Sequence, residues 1–217
     1  MFQYCFFDLD GTITDPKIGI TSAVAYALEK YGITVEDKDQ LTTFIGPPLH
    51  ESFCKFFGFS NMAAYDAVDK YREYYKAQGI FENFLYDGMA DLLKHLQQAG
   101  KQVIMATSKP EVFARQIAEH FQIDSYFTCI TGSNLDGTRV AKAEVIACAM
   151  ERIGKKDATD AVMIGDRMHD IIGAKKTGMQ SIGVLYGYGN REELEAAGAD
   201  YIVPSVADLE KLLLTLK

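Results

Sequence analysis

The first apolar run, residues 2–7, is short and nearly unbroken, and Asp8 ends it. That is the pattern of a strand buried on both faces. The apolar spacing then changes to threes and fours. Ile20, Val24, Ala27, Leu28 and Tyr31 share one face of a helix that Gly32 stops. From about residue 15 to 83 the pattern stays helical, broken at Gly46-Pro47-Pro48 and longest over 61–78, with no convincing strand. From Asp87 strands and helices alternate. Met89, Leu92, Leu93, Leu96 and Ala99 predict a helix that ends at Gly100, and a strand follows over 102–107. Pro110 opens a helix carrying Phe113, Ile117 and Phe121, and a short strand is expected over 127–131. Val145, Ile146, Ala149, Met150 and Ile153 predict the next helix. Strands over 161–165 and 181–185 flank a helix over 171–177, and a strand over 201–203 precedes a closing helix over 206–216.

This alternation with short loops predicts an α/β fold, a doubly wound and mainly parallel sheet. The helical stretch after the first strand reads as an inserted unit. The expected division is a core of residues 1–14 and 84–217 and a helical cap of residues 15–83, joined by short hinges. There is no internal repeat and no Pro/Ser-rich linker.

The 217 residues suffice for one sizeable core with a small appended unit, and 48% hydrophobic with 24% charged residues argue against disorder. No apolar run approaches the roughly 20 residues that span a bilayer, and no basic residue precedes the first apolar stretch, so neither a membrane span nor a secretory signal is expected. Cys5, Cys54, Cys129 and Cys148 show neither paired nor metal-type spacing and read as reduced thiols in a cytoplasm. The net charge of −8 disfavours a nucleic-acid polymer as partner, and the overall field repels anions. Anion chemistry therefore has to rest on local cations.

In an open parallel sheet, ligands bind beyond the carboxyl ends of the strands. The first strand ends in Asp8-Leu9-Asp10-Gly11-Thr12, the second in Thr107-Ser108-Lys109, and the fourth in Gly165-Asp166, with Asp170 just beyond. Lys142 follows the turn after the third. Four aspartates at one edge repel one another unless a cation compensates, and carboxylate oxygens around an open site suit Mg²⁺. The Thr107 hydroxyl, the Lys142 ammonium and the backbone N–H groups of 9–11 are suitable donors for the other oxygens of a phosphate. Gly11 removes a Cβ where the chain turns beside the ligand.

These four clusters, in this order, resemble the four motifs of the haloacid dehalogenase superfamily: Phe6-Phe7-Asp8-Leu9-Asp10-Gly11-Thr12, then Thr107, then Lys142, then Gly165-Asp166-Arg167-Met168-His169-Asp170. The resemblance spans nearly the whole chain and implies a Rossmannoid core, with the helical insertion in the position of a C1-type cap. It is nearest the phosphoglycolate-phosphatase-like branch. The stretch Gly132–Arg139 with Lys142, and Gly46-Pro47-Pro48, look most like 5′-nucleotidase-like members. The resemblance implies a Mg²⁺-dependent phosphomonoesterase acting on a small phosphorylated metabolite. A nucleoside 5′-monophosphate is the first candidate and phosphoglycolate the second. A phosphosugar mutase of the same superfamily is the alternative from another reaction class. It further implies Asp8 as nucleophile, Asp10 as acid and then base, and Thr107 and Lys142 on the phosphoryl oxygens. Asp8 and Asp166 would ligate Mg²⁺ by side chain and Asp10 by its carbonyl, with Asp170 orienting metal waters. An Asp at position 10 favours phosphoryl transfer, because halide displacement needs no acid there.

Other features read more plainly. Ser108 is taken as a local cap for the Pro110 helix, Lys109 as the other lysine able to fill the place of Lys142, and Arg139 as solvated rather than on the substrate. Tyr65, Tyr71, Tyr74 and Tyr75 read as packing. Gly187-Tyr188-Gly189 lacks the third glycine of a dinucleotide fingerprint.

Overall fold

In the computed structural model, which describes residues 2–215, the first strand β1 (Tyr4–Phe7) lies at the middle of a six-stranded sheet. The chain continues through β2 (Thr14–Asp15), α1 (Lys17–Glu29), a 3₁₀ segment (Lys38–Phe44), α2 (Leu49–Phe57), α3 (Asn61–Tyr74), a π-helical turn (Tyr75–Gly79) and β3 (Phe84–Leu85). Then come α4 (Met89–Gln98), β4 (Gln102–Pro110), α5 (Glu111–His120), β5 (Cys129–Ser133), α6 (Lys142–Arg152) and β6 (Ala161–Gly165). The last elements are α7 (Met168–Lys176), β7 (Gln180–Val184), α8 (Arg191–Ala197), β8 (Tyr201–Val203) and α9 (Val206–Thr215). The sheet order is β5-β4-β1-β6-β7-β8, and every neighbouring pair in it is parallel. The chain winds one way from β1 to β4 and β5 and the other way to β6, β7 and β8. The topological switch point, where such sheets bind ligands, is therefore at β1 between β4 and β6.

The chain forms two compact units, one of residues up to Asp15 together with Leu85 onward, the other of Pro16–Phe84. In the first, the β1 and β6 side chains are almost all buried, as a strand covered on both faces requires. Phe6, Ile104 and Met163, on adjacent strands, pack with Val145, Ile146 and Ala149 of α6. In the second, Gly58 ends α2 in a left-handed conformation at φ 67°, and the Ser60 hydroxyl caps α3 by accepting from the Ala63 N–H at 3.3 Å. Tyr71 and Tyr75 are buried and stacked at 5.3 Å, and the Tyr74 hydroxyl donates to Glu82 at 3.0 Å. These three tyrosines pack, whereas Tyr65 is 66% exposed.

Several boundaries differ from the sequence reading. β5 begins at Cys129 rather than at the expected 127, and residues 124–126 ahead of it form a 3₁₀ turn. β4 runs on to Pro110 through an irregularity between Ala106 and Pro110, so α5 opens at Glu111. Its N-cap is Pro110 with no side-chain bond, and Ser108 does not cap it. Helix α8 has no counterpart in the periodicity, since Leu194 is its only buried side chain. Its signal is local, namely Asn190 accepting from the Glu193 N–H at 2.8 Å and Gly198 closing the far end. The end of the expected helix over 206–216 falls outside the described residues.

Candidate active site

Three adjacent strand ends build the site. Past β1, Asp8 is only 7% exposed. Its Oδ1 accepts from the Leu9 N–H at 2.8 Å and lies 2.8 Å from Lys142 Nζ, which fixes the rotation of the carboxylate. The chain then turns tightly, with the N–H groups of Thr12, Ile13 and Thr14 all aimed at the Leu9 carbonyl. Gly11 sits in this turn at φ +78°, and a Cβ there would lie 2.2 Å from Asp166 Oδ2. Glycine is needed both for the backbone angle and for the approach of Asp166.

Past β6, Asp166 is wholly buried and Asp170 is 1% exposed. Asp170 sits in the first turn of α7, where its Oδ2 accepts from the Arg167 N–H at 3.1 Å. Lys142, the first residue of α6, reaches Asp170 Oδ1 at 2.8 Å as well as Asp8, and donates to the Ala106 carbonyl at 3.2 Å. One ammonium thus bridges two of the three carboxylates. Oxygens of Asp8, Asp166 and Asp170 lie within 4.8 Å of one another.

The electrostatics show a deficit of positive charge. Burial, reinforced by Asp170, pushes the Asp166 carboxyl well above the usual range, and the Tyr188 N–H only partly offsets it. Burial pushes Asp170 up to about 6; Lys142 pulls it back and the Asp8 charge adds to the rise. Burial alone would lower the Lys142 pKa, but Asp170 and Asp8 outweigh it and raise it. Asp166 Oδ1 is buried and has no hydrogen-bond partner, a costly state for a carboxylate without a cation. Three hard oxygen donors around an unsatisfied buried charge fit a small divalent cation.

In the irregular end of β4, Thr107 is 1% exposed, and its Oγ1 accepts from the Lys109 N–H at 3.1 Å, which leaves its O–H to donate. Asp8, Asp10, Thr107, Lys142, Asp166 and Asp170 are therefore all gathered at this edge. Asp10 stands apart from the carboxylate trio and instead holds Lys109, Nζ to Oδ2 at 2.6 Å. Arg139 is engaged elsewhere, donating to the Gly132 carbonyl at 2.8 Å and meeting Glu111 at 3.3 Å.

Two components escaped the sequence reading. Lys109 joins the site alongside Lys142, not in its place. The Gly187-Tyr188-Gly189 loop forms a wall of the site: the Tyr188 N–H donates to Asp166 Oδ2 at 2.7 Å, and its hydroxyl hydrogen-bonds Asp15. A Cβ at Gly187 would lie 2.2 Å from the Gly11 carbonyl oxygen and 2.4 Å from Asp166 Cβ. The glycine pair flanking Tyr188 was the available signal, and in the sequence it served only to exclude a dinucleotide fingerprint. Gly187→Ala is expected to displace Asp166 and lower divalent-cation affinity and kcat/KM together, by about 10–100-fold. Titration with Mg²⁺ and steady-state kinetics check this, and unchanged values would show that the loop does not hold Asp166.

Residues 5–184 match the model of the haloacid dehalogenase-like hydrolases, and the chain belongs to that family. It is an enzyme of the family's phosphatase branch. A protein of Pseudomonas aeruginosa named 5′-nucleotidase is 45% identical over 95% of this chain and 93% of its own. The solved structure of a predicted phosphatase from Clostridium acetobutylicum is 50% identical and covers all of both chains, with a TM-score of 0.96. A Mycobacterium tuberculosis protein named tyrosine-protein kinase PtkA is 37% identical over 97% of this chain and 71% of its own.

Proposed function

We propose that this protein is a Mg²⁺-dependent phosphomonoesterase that passes the phosphoryl group through an aspartyl-phosphate on Asp8, with nucleoside 5′-monophosphates as its preferred substrates. The observation that carries the reading is the buried trio Asp8, Asp166 and Asp170, in which a single ammonium reaches only Asp8 and Asp170 and leaves the cluster short of positive charge. The full-length similarity to a protein named 5′-nucleotidase supports the substrate class.

Side chains of Asp8 and Asp166, with the Asp10 carbonyl, would hold the ion, and Asp170 beside them would orient its waters. When bound, Mg²⁺ supplies charge neutralisation at a phosphoryl oxygen. The chain's own residues do the rest. An Asp8 carboxylate oxygen attacks phosphorus as the bond to the leaving oxygen breaks, and Asp10 gives that oxygen its proton. Water then attacks the phosphorus and passes its proton to Asp10, and the Asp8–phosphorus bond breaks to release phosphate. The Thr107 hydroxyl and the Lys142 ammonium hold the phosphoryl oxygens throughout. The helical unit would serve as the cap that sets which substrate is taken. Four free thiols suit a reducing cytoplasm, where we place the protein. Among the described residues no helix is long and apolar enough to cross a membrane.

A panel of phosphate esters assayed with Mg²⁺, with EDTA and with Ca²⁺ tests the reading. Nucleoside 5′-monophosphates are expected to give the highest kcat/KM, EDTA to abolish turnover, and Ca²⁺ to inhibit. Ca²⁺ takes more ligands at longer distances and would engage both Asp8 oxygens. Full activity in EDTA contradicts the metal assignment, a preference for phosphoglycolate overturns the substrate, and dependence on a sugar bisphosphate points to a mutase.

A further inference from the structure

Two lysines enter the carboxylate cluster, and the mechanism above uses only one. Lys109 is 9% exposed and its ammonium lies 2.6 Å from Asp10 Oδ2, across a sequence separation of 99 residues. Both side chains of the pair are nearly closed off, at 5% and 12% exposure. A buried ion pair of this kind is costly to form, and removing one partner strands the other. A lysine kept here for stability alone would be a poor choice.

The local backbone is shaped to deliver it. β4 and β5 pair in register from Ile104↔Cys129 to Ala106↔Thr131, but the next pair is Pro110↔Ser133, so β4 bulges over residues 107–109. The Thr107 hydroxyl accepts from the Lys109 N–H at 3.1 Å and tightens the bulge. Gly132 lies beneath it, where a Cβ would come within 2.5 Å of the Lys109 carbonyl oxygen. The bulge therefore places Thr107 and Lys109 in one cluster.

At the other end of the contact, the two Asp10 oxygens are unlike. Oδ2 is taken by Lys109, while Oδ1 is buried and has no hydrogen-bond partner. From this asymmetry we infer that Lys109 is a positioning residue. It holds Asp10 by Oδ2 so that Oδ1 is the oxygen that exchanges a proton with the leaving group, and Lys109 itself makes no contact with the phosphoryl group. The inference rests on the reading of Asp10 as the acid. In the step concerned, the Asp8–phosphorus bond forms, the bond from phosphorus to the ester oxygen breaks, and the Asp10 Oδ1 proton moves to that oxygen.

Leaving-group dependence separates this from a structural or phosphate-binding role. An alkyl alkoxide needs a proton as it departs, whereas p-nitrophenolate does not. The parameter to read is kcat/KM, which reports steps up to loss of the leaving group whatever limits kcat. Wild type, Lys109→Met, Lys109→Gln, Lys109→Arg and Asp10→Asn are compared on glycerol phosphate and p-nitrophenyl phosphate with saturating Mg²⁺. Lys109→Met should lose about 100-fold on the alkyl ester and less than about tenfold on the aryl ester, within the range of acid–base catalysis. Lys109→Arg, which keeps a charged donor, should recover part of the alkyl-ester loss. Lys109→Gln keeps a donor without the charge and replaces the Met variant in the comparison if that one does not fold. Equal losses on both esters in the Lys109 variants, beside a discriminating Asp10→Asn, would overturn the inference and leave the phosphatase reading standing. Equal losses in Asp10→Asn would instead overturn the assignment of Asp10 as the acid, and the inference with it.

Discussion

Asp8→Asn is expected to lower kcat by on the order of 10⁵-fold, about 7 kcal/mol of barrier, while leaving the fold intact. An amide oxygen cannot take the place of the carboxylate as nucleophile, so the covalent route closes entirely. The packing should survive because the two side chains are nearly isosteric. The carbonyl oxygen of the introduced amide can still accept from the Leu9 N–H and from Lys142, the two groups that hold Oδ1 in the native protein. Removing one negative charge from an over-charged cluster also relieves repulsion with Asp166 and Asp170. The Tm of the metal-free protein should therefore hold or rise, and that keeps the kinetic result interpretable. Residual turnover within about tenfold of wild type, or roughly 1.4 kcal/mol, would remove Asp8 from its assigned part.

Lys142→Met carries the second large effect, on stability as well as rate. The side chain is 3% exposed and is the only cation within 4 Å of both Asp8 and Asp170 among the described residues. Taking it away strands two buried carboxylates, a change of about 3–5 kcal/mol. For a chain of this size that corresponds to a Tm lower by on the order of 10 °C without metal. Mg²⁺ should raise the Tm of the variant more than that of wild type, because the ion then supplies compensation that the lysine no longer does.

The pH dependence has a defined sign. The folded-state Asp170 carboxyl, at about 6, keeps its proton where the unfolded one, near 3.9, has lost it. Its contribution is full below about pH 4 and is lost as pH rises towards about 6. Without Lys142 the folded pKa climbs further, since Lys142 is what pulls it down. The Tm deficit of the variant should therefore shrink on acidification. Thermal melts across this range, with and without Mg²⁺, check both statements. A deficit that grows as pH falls would mean the lysine is not compensating these carboxylates.

The strand ends at Asp8, Thr107 and Asp166 were legible because a parallel sheet turns sequence order into spatial order. Once β1, β4 and β6 were recognised as strands, their carboxyl ends had to meet at one edge. The acidic trio and Lys142 followed from residue type. What stayed hidden depended on geometry without periodicity. The length of β4 depended on a bulge, which a hydrophobic pattern does not register. Lys109 looked like a rival to Lys142 because both are lysines near a strand end; only the bulge sends its ammonium to Asp10. Gly187 and Gly189 looked like an incomplete nucleotide loop, yet their missing side chains make room for Asp166. Helix α8 was hidden because one buried leucine cannot make a stripe.

The central claim is the covalent intermediate on Asp8, and chemical trapping tests it most directly. The enzyme is quenched in acid during turnover of a nucleoside 5′-monophosphate with Mg²⁺, reduced with borohydride, digested and sequenced by mass spectrometry. Borohydride converts an aspartyl-phosphate to homoserine and leaves a free carboxylate untouched. The account predicts homoserine at position 8, present with substrate and absent without it. Homoserine at another aspartate, or a phosphorylated side chain elsewhere during turnover with Asp8 unmodified, would contradict it.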